Sequence, residues 1–273
     1  MKVIQAKSAG FCYGVQRAVE LAEQTARERG GCVMLGSIIH NAHVVQHLEQ
    51  LGAHQVAGPE AIRPGDTVLI RAHGEKKQVI GHLKDIGAEC VDATCPNVLR
   101  VQQIVAQADA EGRVPIIIGD PNHPEVMGVA SWSARSVVFE GAETLQRWLD
   151  EDPARRELPL TAVAQTTCIR IIWDGAAEIL KKQCTNAKIF DTICNATHKR
   201  QSEAAELASQ VDVMVVVGDR KSANTKHLTE ICSRQCPAVY QIERAEELKR
   251  DFLTGCSVAG LTAGASTPAG IIK

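Results

Sequence analysis

Three segments of the sequence repeat one pattern around a cysteine. They are AGFCYGVQRAVELA at residues 9–22, DATCPNVLRVQQIV at 92–105 and DTICNATHKRQSEA at 191–204. In each segment a cysteine (Cys12, Cys95 or Cys194) opens a helical pattern, and the spacings of 83 and 99 residues suit a small α/β unit. We therefore predict three similar modules, each with one thiol at a helix N-terminus, where free N–H groups and the helix dipole favour a thiolate.

Short apolar runs alternate with amphipathic stretches along the chain. The runs rich in Val, Ile and Leu are Val33–Ile39, Thr67–Ile70, Val114–Ile118, Leu160–Ala164, Val211–Val217 and Ser257–Leu261. The helical patterns between them include Val15–Arg29, Asn97–Glu111 and His198–Gln210. Such alternation is typical of α/β proteins with buried parallel sheets. Gly14 predicts that the first helix starts a residue or two late, and the charged run Leu149–Pro159 predicts a surface loop.

Composition and charge exclude several classes of protein. The 30 Lys and Arg residues against 32 Asp and Glu give a net charge of −2, and only nine residues are aromatic. A nucleic-acid partner is therefore not expected, because phosphate binding needs a basic surface and base stacking needs aromatic side chains. No apolar run approaches the ~20 residues that span a bilayer, and no signal-peptide core is visible. We expect a cytoplasmic protein without a membrane partner, whose ten cysteines are thiols or metal ligands rather than disulfides.

A polar cluster follows nearly every apolar run. The six clusters lie at 39–41, 72–74, 122–125, 165–167, 222–225 and 265–268. Because open α/β sheets bind ligands beyond the carboxyl ends of their strands, we expect one shared site that faces all three modules. His40, His73 and His123, with neighbouring Ser, Thr and Asn side chains, would form a cage for an anion such as a diphosphate. Glu125, in an enclosed site, can be protonated and serve as a general acid.

Three convergent cysteines allow two kinds of metal site. Zinc would take three thiolates and one imidazole, supplied by His40, His73 or His123. An iron–sulfur cluster would use the three thiolates and leave one iron open as a Lewis acid for a substrate oxygen. The spacing of the cysteines does not choose between zinc and iron. The other seven cysteines are interpreted as ordinary small buried residues.

The ordered set of these motifs resembles the 4-hydroxy-3-methylbut-2-enyl diphosphate reductases, the iron–sulfur enzymes that end the methylerythritol phosphate route to isoprenoids. The matching pieces are AGFCYGV, HN at 40–41, AHG at 72–74, DATCP, HPEVMG at 123–128, QTT at 165–167, DTICNAT, SAN at 222–224 and TAGASTP. They cover essentially the whole chain. Their order and number make the resemblance specific, whereas any single piece would be a weak signal.

The resemblance implies three small α/β modules with mostly parallel sheets, arranged pseudo-threefold around a central [4Fe–4S] cluster. The modules would be 13–95, 96–193 and 194–273, the last completed by the N-terminal strand 1–12. Cys12, Cys95 and Cys194 would hold the cluster and leave one iron free of protein ligand.

For the substrate, the resemblance implies a site at the ends of the strands. Six side chains would hold the diphosphate: His40, His73, His123, Ser222, Asn224 and Ser266. Glu125 would deliver protons, and Thr166 would order the hydroxyl and a water near the open iron. Two electrons and two protons would remove the hydroxyl as water and give isopentenyl or dimethylallyl diphosphate, with ferredoxin or flavodoxin as the electron donor.

Two residues depart from the family pattern. Ala223 stands where a second serine is usual, so we expect one diphosphate hydrogen bond to be lost, or moved to the backbone or to Thr225. Loss of one charge-assisted bond would cost about 1.5–3 kcal/mol. Arg71 precedes the AHG motif, where a small polar residue is common. It either adds positive charge near the anion or pairs with a carboxylate.

Two alternative functions remain open at this point. A zinc-stabilised or redox-sensing protein would hold a phosphorylated ligand without turnover, but it would have no need of Glu125. A hydro-lyase would use an open cluster without net electron transfer, and a requirement for reductant separates it from the reductase.

Overall fold

The computed structural model describes residues 1–272, and Lys273, which ends the predicted third module, lies outside them. Twelve strands are present in this range: β1 (Lys2–Gln5), β2 (Cys32–Leu35), β3 (Ala53–Val56), β4 (Thr67–Ile70), β5 (Glu89–Asp92), β6 (Val114–Ile118), β7 (Val137–Phe139), β8 (Leu160–Ala164), β9 (Ala187–Ile189), β10 (Val213–Val217), β11 (Val239–Ile242) and β12 (Val258–Ala263). The α-helices are α1 (Tyr13–Arg29), α2 (Ala42–Gln50), α3 (Lys77–Asp85), α4 (Pro96–Ala110), α5 (Pro124–Ala130), α6 (Ala142–Glu151), α7 (Arg170–Gln183), α8 (Asn195–Ala208), α9 (Ala223–Ser233) and α10 (Ala269–Ile272). Four short 3₁₀ turns complete the described elements.

The strands form three four-stranded parallel sheets with one common topology. Their orders are β5-β4-β2-β3, β9-β8-β6-β7 and β1-β12-β10-β11. In every module, therefore, the first and third strands along the chain from β2, β6 or β10 are the two central strands of the sheet. The predicted three-module α/β fold is confirmed. In the third sheet β1 pairs with β12, with Lys2 opposite Val258.

The central strands were predictable because both of their faces are covered. VPIII of β6, LTAVA of β8 and VMVVV of β10 are buried almost throughout. Parallel strands buried on both faces read as continuous apolar runs. The edge strands β3, β5, β7, β9 and β11 were not predicted, because they are short, partly exposed and carry charged or polar residues such as those of AHQV and ECVD. The predicted run Val33–Ile39 was too long, since β2 ends at Leu35.

Two helix predictions were wrong in detail. Helix α1 begins at Tyr13, immediately after its cysteine, so Gly14 does not delay it. The run Leu149–Pro159 is only partly a loop, because α6 continues to Glu151 with Leu149 fully buried and a 3₁₀ turn follows at Pro153–Glu157. Gly30, at φ 68°, ends α1 in the left-handed conformation that is common for a glycine after a helix C-terminus.

We propose 13–95, 96–193 and 194–273 with 1–12 as the module boundaries, since each sheet lies within one of these ranges. In residues 1–272 no helix has the length and apolar composition that crossing a membrane requires.

Candidate active site

The three repeated cysteines lie at the junctions between modules, each immediately before the first helix of one module. Cys12, Cys95 and Cys194 are the N-cap residues of α1, α4 and α8. Each follows the edge strand that leads into its helix, and all three line one cavity. We call these three residues the thiol ring. Burial raises the pKa of Cys95 and Cys194, whereas hydrogen bonds from backbone N–H groups at the helix N-termini lower it and so favour the thiolate.

A hydrogen bond fixes each cysteine of the thiol ring to a loop of the neighbouring central strand. The N–H of Cys95 donates to the carbonyl of Ala72 at 2.9 Å, and the N–H groups of Cys194 and Cys12 donate to Thr166 and Ala265 at 3.1 and 3.2 Å. These three acceptors all lie two residues beyond the ends of β4, β8 and β12. The same backbone hydrogen bond therefore positions each of the three cysteines.

Gly14 has a packing role that its sequence position did not reveal. A Cβ atom built on Gly14 would lie 2.5 Å from the Sγ atom of Cys95. Real Cβ atoms do not approach other atoms so closely, so the first turn of α1 needs glycine to let the Cys95 sulfur reach the cavity.

A second set of side chains also repeats in position, although not in residue type. His40, His123 and Ser222 lie five residues after β2, β6 and β10, whereas His73, Thr167 and Ser266 lie three residues after β4, β8 and β12. We call these six residues the polar ring, and all six line the same cavity as the thiol ring. Since they follow the two central strands, where the strand order reverses, they lie at the ligand-binding edge of all three sheets.

Helix N-termini reinforce the polar ring. Nδ1 of His123 accepts a hydrogen bond from the N–H of Glu125 at 3.2 Å, and Ser222 Oγ accepts from Thr225 N–H at 3.4 Å. The bond at Nδ1 assigns the proton of neutral His123 to Nε2, which is then a donor. Asn224, 5% exposed, has a buried side-chain nitrogen without a partner. Free donors at helix N-termini attract an anion.

Three imidazoles of the polar ring pack against each other. The ring centroids of His40 and His73 are 4.6 Å apart, and His123 lies 5.9 and 5.4 Å from them. Burial lowers the pKa of all three histidines, that of His123 to about 4; neighbouring imidazoles add to the effect at His73 and His123, and nearby cations do so at His40. His40 Nε2 and His73 Nδ1 are buried without a hydrogen-bond partner. The trio is therefore uncharged when empty, and an anion would satisfy its free nitrogens and raise its pKa values.

Glu125 is buried and is linked to both rings: its N–H donates to His123, and its carboxylate bonds to Thr166, whose carbonyl anchors Cys194. It is 2% exposed, and its carboxylate oxygens accept from the N–H of Thr166 at 2.6 Å and from the Thr166 hydroxyl at 2.8 Å. Burial raises the pKa of Glu125 to about 7, although the two hydrogen bonds from Thr166 act in the opposite direction. A carboxyl group with this pKa holds and releases a proton at neutral pH, as general acid catalysis requires.

The structure brings together every site residue predicted from the sequence. All eleven line the one cavity: Cys12, Cys95, Cys194, His40, His73, His123, Glu125, Thr166, Ser222, Asn224 and Ser266. Arg71 pairs with a carboxylate as predicted, since its guanidinium lies 2.8 Å from that of Glu75, and its charge also acts on the three histidines. Ala223 lines the cavity, but Thr225 does not and so offers no replacement hydroxyl there.

Three residues near the site were not singled out from the sequence. Thr167 occupies the polar-ring position equivalent to His73 and Ser266, and its buried hydroxyl has no partner. His227 of α9 bonds through Nδ1 to the carbonyl of Thr167 at 2.6 Å. Arg200 of α8 lines the cavity beside the thiol ring. Equivalent spacing from the strand ends was the one available signal for Thr167, whereas His227 contacts another module and Arg200 contacts the distant N-terminal segment.

A model of the protein family described as "LytB protein" matches residues 3–273. The chain belongs to the LytB protein family. Its sequence is 39% identical over 278 residues to the 4-hydroxy-3-methylbut-2-enyl diphosphate reductase of Caldanaerobacter subterraneus subsp. tengcongensis, covering 100% of this chain and 94% of that protein. It is also 39% identical to the enzyme of that name from Anaeromyxobacter sp. (strain Fw109-5), covering 100% and 95%.

Two solved structures of LytB-like fold resemble this chain. One, described as (E)-4-hydroxy-3-methyl-but-2-enyl diphosphate reductase, the terminal enzyme of the non-mevalonate pathway, is 37% identical with a TM-score of 0.70 and coverage of 100% and 96%. The other is the E-1-hydroxy-2-methyl-but-2-enyl-4-diphosphate reductase from Plasmodium falciparum, at 26% identity, a TM-score of 0.93 and coverage of 99% and 85%. The fold and the cavity therefore belong to a family whose named members are reductases of an allylic diphosphate.

Proposed function

We propose that this LytB family member reduces (E)-4-hydroxy-3-methylbut-2-enyl diphosphate to isopentenyl diphosphate and dimethylallyl diphosphate, the last step of the methylerythritol phosphate pathway. The observation that carries the proposal is one cavity lined by a thiol ring, an anion-binding polar ring and a protonatable carboxyl group that is linked to both. These are the parts that removal of an allylic hydroxyl from a diphosphate ester needs.

The donor set of the thiol ring fits an iron–sulfur cluster better than a single zinc ion. A zinc ion with Zn–S bonds of about 2.3 Å holds its sulfurs roughly 3.8 Å apart. Among residues 1–272, only His40, His73 and His123 form a group of three ligands gathered closely enough for a single ion. The three sulfurs of the thiol ring are therefore too far apart to bind one zinc ion. Because His123 donates from Nε2, the histidine trio suits an anion rather than a cation. Cys12, Cys95 and Cys194 would hold a [4Fe–4S] cluster with one iron free of protein ligand.

The bound cluster would supply electrons and an open iron for the substrate hydroxyl. The polar ring and Asn224 would hold the diphosphate with imidazole, hydroxyl and amide donors. Ser222 and Ser266, whose hydroxyl oxygens lie 3.5 Å apart, would bind neighbouring diphosphate oxygens. Thr167 joins this set because its hydroxyl is buried, unpaired and faces the same cavity.

Glu125 and Thr166 would manage the protons. The reaction consumes two electrons and two protons: the C–O bond breaks, one proton leaves with the hydroxyl as water, and the other adds to a carbon of the allyl unit. Glu125, protonated in its dry position, would donate a proton, and the Thr166 hydroxyl bonded to it would orient the leaving hydroxyl. Protonation at one or other end of the allyl unit gives the two products.

The electron donor and the cellular location remain predictions from the family resemblance. They are ferredoxin or flavodoxin, and the cytoplasm. The alternative of a binding protein without turnover is disfavoured by Glu125, because raising the pKa of a buried acid to about 7 contributes nothing to holding an anion.

Anaerobic purification, iron and sulfide analysis, and turnover of the hydroxylated allylic diphosphate with dithionite and a viologen test the proposal. We expect a bound cluster and reductant-dependent formation of both products. Glu125→Gln should keep the cluster and lose turnover by about 10²–10⁴-fold. A colourless protein after anaerobic reconstitution would reject the cluster, and turnover without reductant would favour a hydro-lyase.

A further inference from the structure

Arg200 is a buried cation without a carboxylate partner. Its residue is 4% exposed, and within residues 1–272 no Asp or Glu lies in ion-pair distance of its guanidinium. Nε donates to the carbonyl of Ser8 at 2.9 Å and Nη2 to the carbonyl of Gly10 at 2.6 Å. Glu203, the nearest acid along α8, is instead bonded to the N–H groups of Lys7 and Ser8. A charge removed from water needs a counter-charge, and carbonyl dipoles alone supply only part of it.

The missing counter-charge lies in the thiol ring. Arg200 lines the cavity together with Cys12 and Cys194, and both thiolates would act on it electrostatically, ahead of the more weakly acting Glu203. Its two hydrogen bonds also hold the segment that precedes Cys12 against α8, the helix that begins after Cys194. The residue therefore joins two of the three thiol-bearing segments and places a positive charge beside their sulfurs.

We propose that Arg200 is a positioning and charge-balancing residue for the metal cofactor of the thiol ring, and that it raises the reduction potential of this cofactor. The inference rests on the proposed function in one respect, namely that the thiol ring holds a redox-active cluster. Three thiolates and a cluster carry net negative charge, so each added electron is repelled. A fixed cation in a dry site opposes that repulsion, and charge near a cluster is one of the factors that set its potential.

The test compares three variants of the full-length protein after anaerobic cluster reconstitution. Arg200→Met removes the charge and keeps most of the volume, whereas Arg200→Lys keeps the charge and loses the forked hydrogen bonds. Arg113→Met is the matched control, because Arg113 is also buried and also donates to backbone carbonyls, of Leu160 and Asn186, but does not line the cavity. The measurements are the midpoint potential, by reductive titration followed in the visible spectrum, and iron per chain after gel filtration.

We expect Arg200→Met to shift the midpoint potential to a more negative value and to retain less iron. Arg200→Lys should keep a potential near that of the wild type while retaining less iron, and Arg113→Met should lower thermal stability without moving the potential. An unchanged potential in Arg200→Met would overturn the proposal. If Arg200→Met does not fold, an Arg200→Lys protein whose potential falls although its charge is kept would overturn it as well. A wild-type protein that binds no iron would instead reject the cofactor of the proposed function, which is a distinguishable result.

Discussion

The thiol ring and the polar ring each repeat the same backbone positions in the three modules, but they differ in the residue types at those positions. At the thiol ring the three modules repeat one residue, cysteine, at one helix N-cap. At the polar ring they repeat the spacing from the strand ends but fill it with histidine, threonine and serine. The thiol ring is thus chemically threefold, and the polar ring is threefold only in its backbone.

Under the proposed function, the difference follows from what each ring would bind. A cluster with three protein ligands presents three equivalent irons, so identical ligands at symmetric positions suit it. A diphosphate ester has distinct ends and needs donors of different shape and reach. Gene duplication of one α/β unit would supply both scaffolds at once, and substitution at the loop positions would then make the second ring specific. The predictions below test whether the two rings are as separate in chemistry as in composition.

The largest effect is expected at the thiol ring. Cys194→Ser should lose most of the bound iron and all turnover, because a ring of three ligands has no spare member. Iron and sulfide analysis measures the loss. Cys256→Ser is the control, since that thiol does not line the cavity. Full iron content in Cys194→Ser would show that the thiol ring is not the ligand set.

Glu125 should make the free energy of unfolding of the protein depend on pH. Its pKa rises from an ordinary 4.5 to about 7 in the folded protein, so the folded state holds the proton more tightly. Stability conferred by the neutral acid is therefore complete below pH 4.5 and is lost as the pH rises through 7. Glu125→Gln should be more stable than the wild type by about 3 kcal/mol at pH 8 and equal to it near pH 4.5. Denaturant unfolding of the cluster-free proteins at both pH values measures this, and a constant difference would contradict the raised pKa.

The polar ring should take up protons when an anion binds. Burial lowers the pKa of His40, His73 and His123 in the empty site, and a bound anion raises these values again. Titration calorimetry of inorganic diphosphate, near pH 6.5 in buffers of different ionisation enthalpy, counts the protons. His73→Asn should take up fewer protons than the wild type, and this comparison cancels the protons of the diphosphate itself. Equal counts would mean that the imidazoles stay neutral in the complex.

The smallest effect is expected at His227, which connects the α9 side of the polar ring to the loop of Thr166 and Thr167. His227→Asn places an amide N–H near the position of Nδ1, whereas His227→Leu removes the donor. Loss of one hydrogen bond corresponds to about 1 kcal/mol, or about a fivefold rise in KM, with a smaller change in kcat. Steady-state kinetics of both variants test this. If Asn performs no better than Leu, the contact is only a packing contact.

Prediction from the sequence succeeded where one chain segment carried the whole signal. Continuous apolar runs identified the six central strands, and the repeated cysteine segments identified the thiol ring. The edge strands, such as β5 with ECVD, carry no such run, because one side faces solvent and their pairing depends on a partner elsewhere in the chain. Arg200 and His227 were missed for a similar reason. Their contacts join segments that are far apart in the chain, so no local pattern marks them, whereas Thr167 could have been found from its spacing after β8.

Because β1 pairs with β12, the three thiols of the ring are positioned at different stages of chain synthesis. The loops that anchor Cys95 and Cys194 lie 23 and 28 residues upstream of them, whereas the loop that anchors Cys12 lies 253 residues downstream. Closing the longer segment costs about 2 kcal/mol more in chain entropy. On the ribosome, the earliest thiol of the ring is therefore the last to be placed. A chain released before residue 265 leaves Cys12 without its anchor. A chain that binds metal through all three thiols would therefore have been translated at least as far as residue 265.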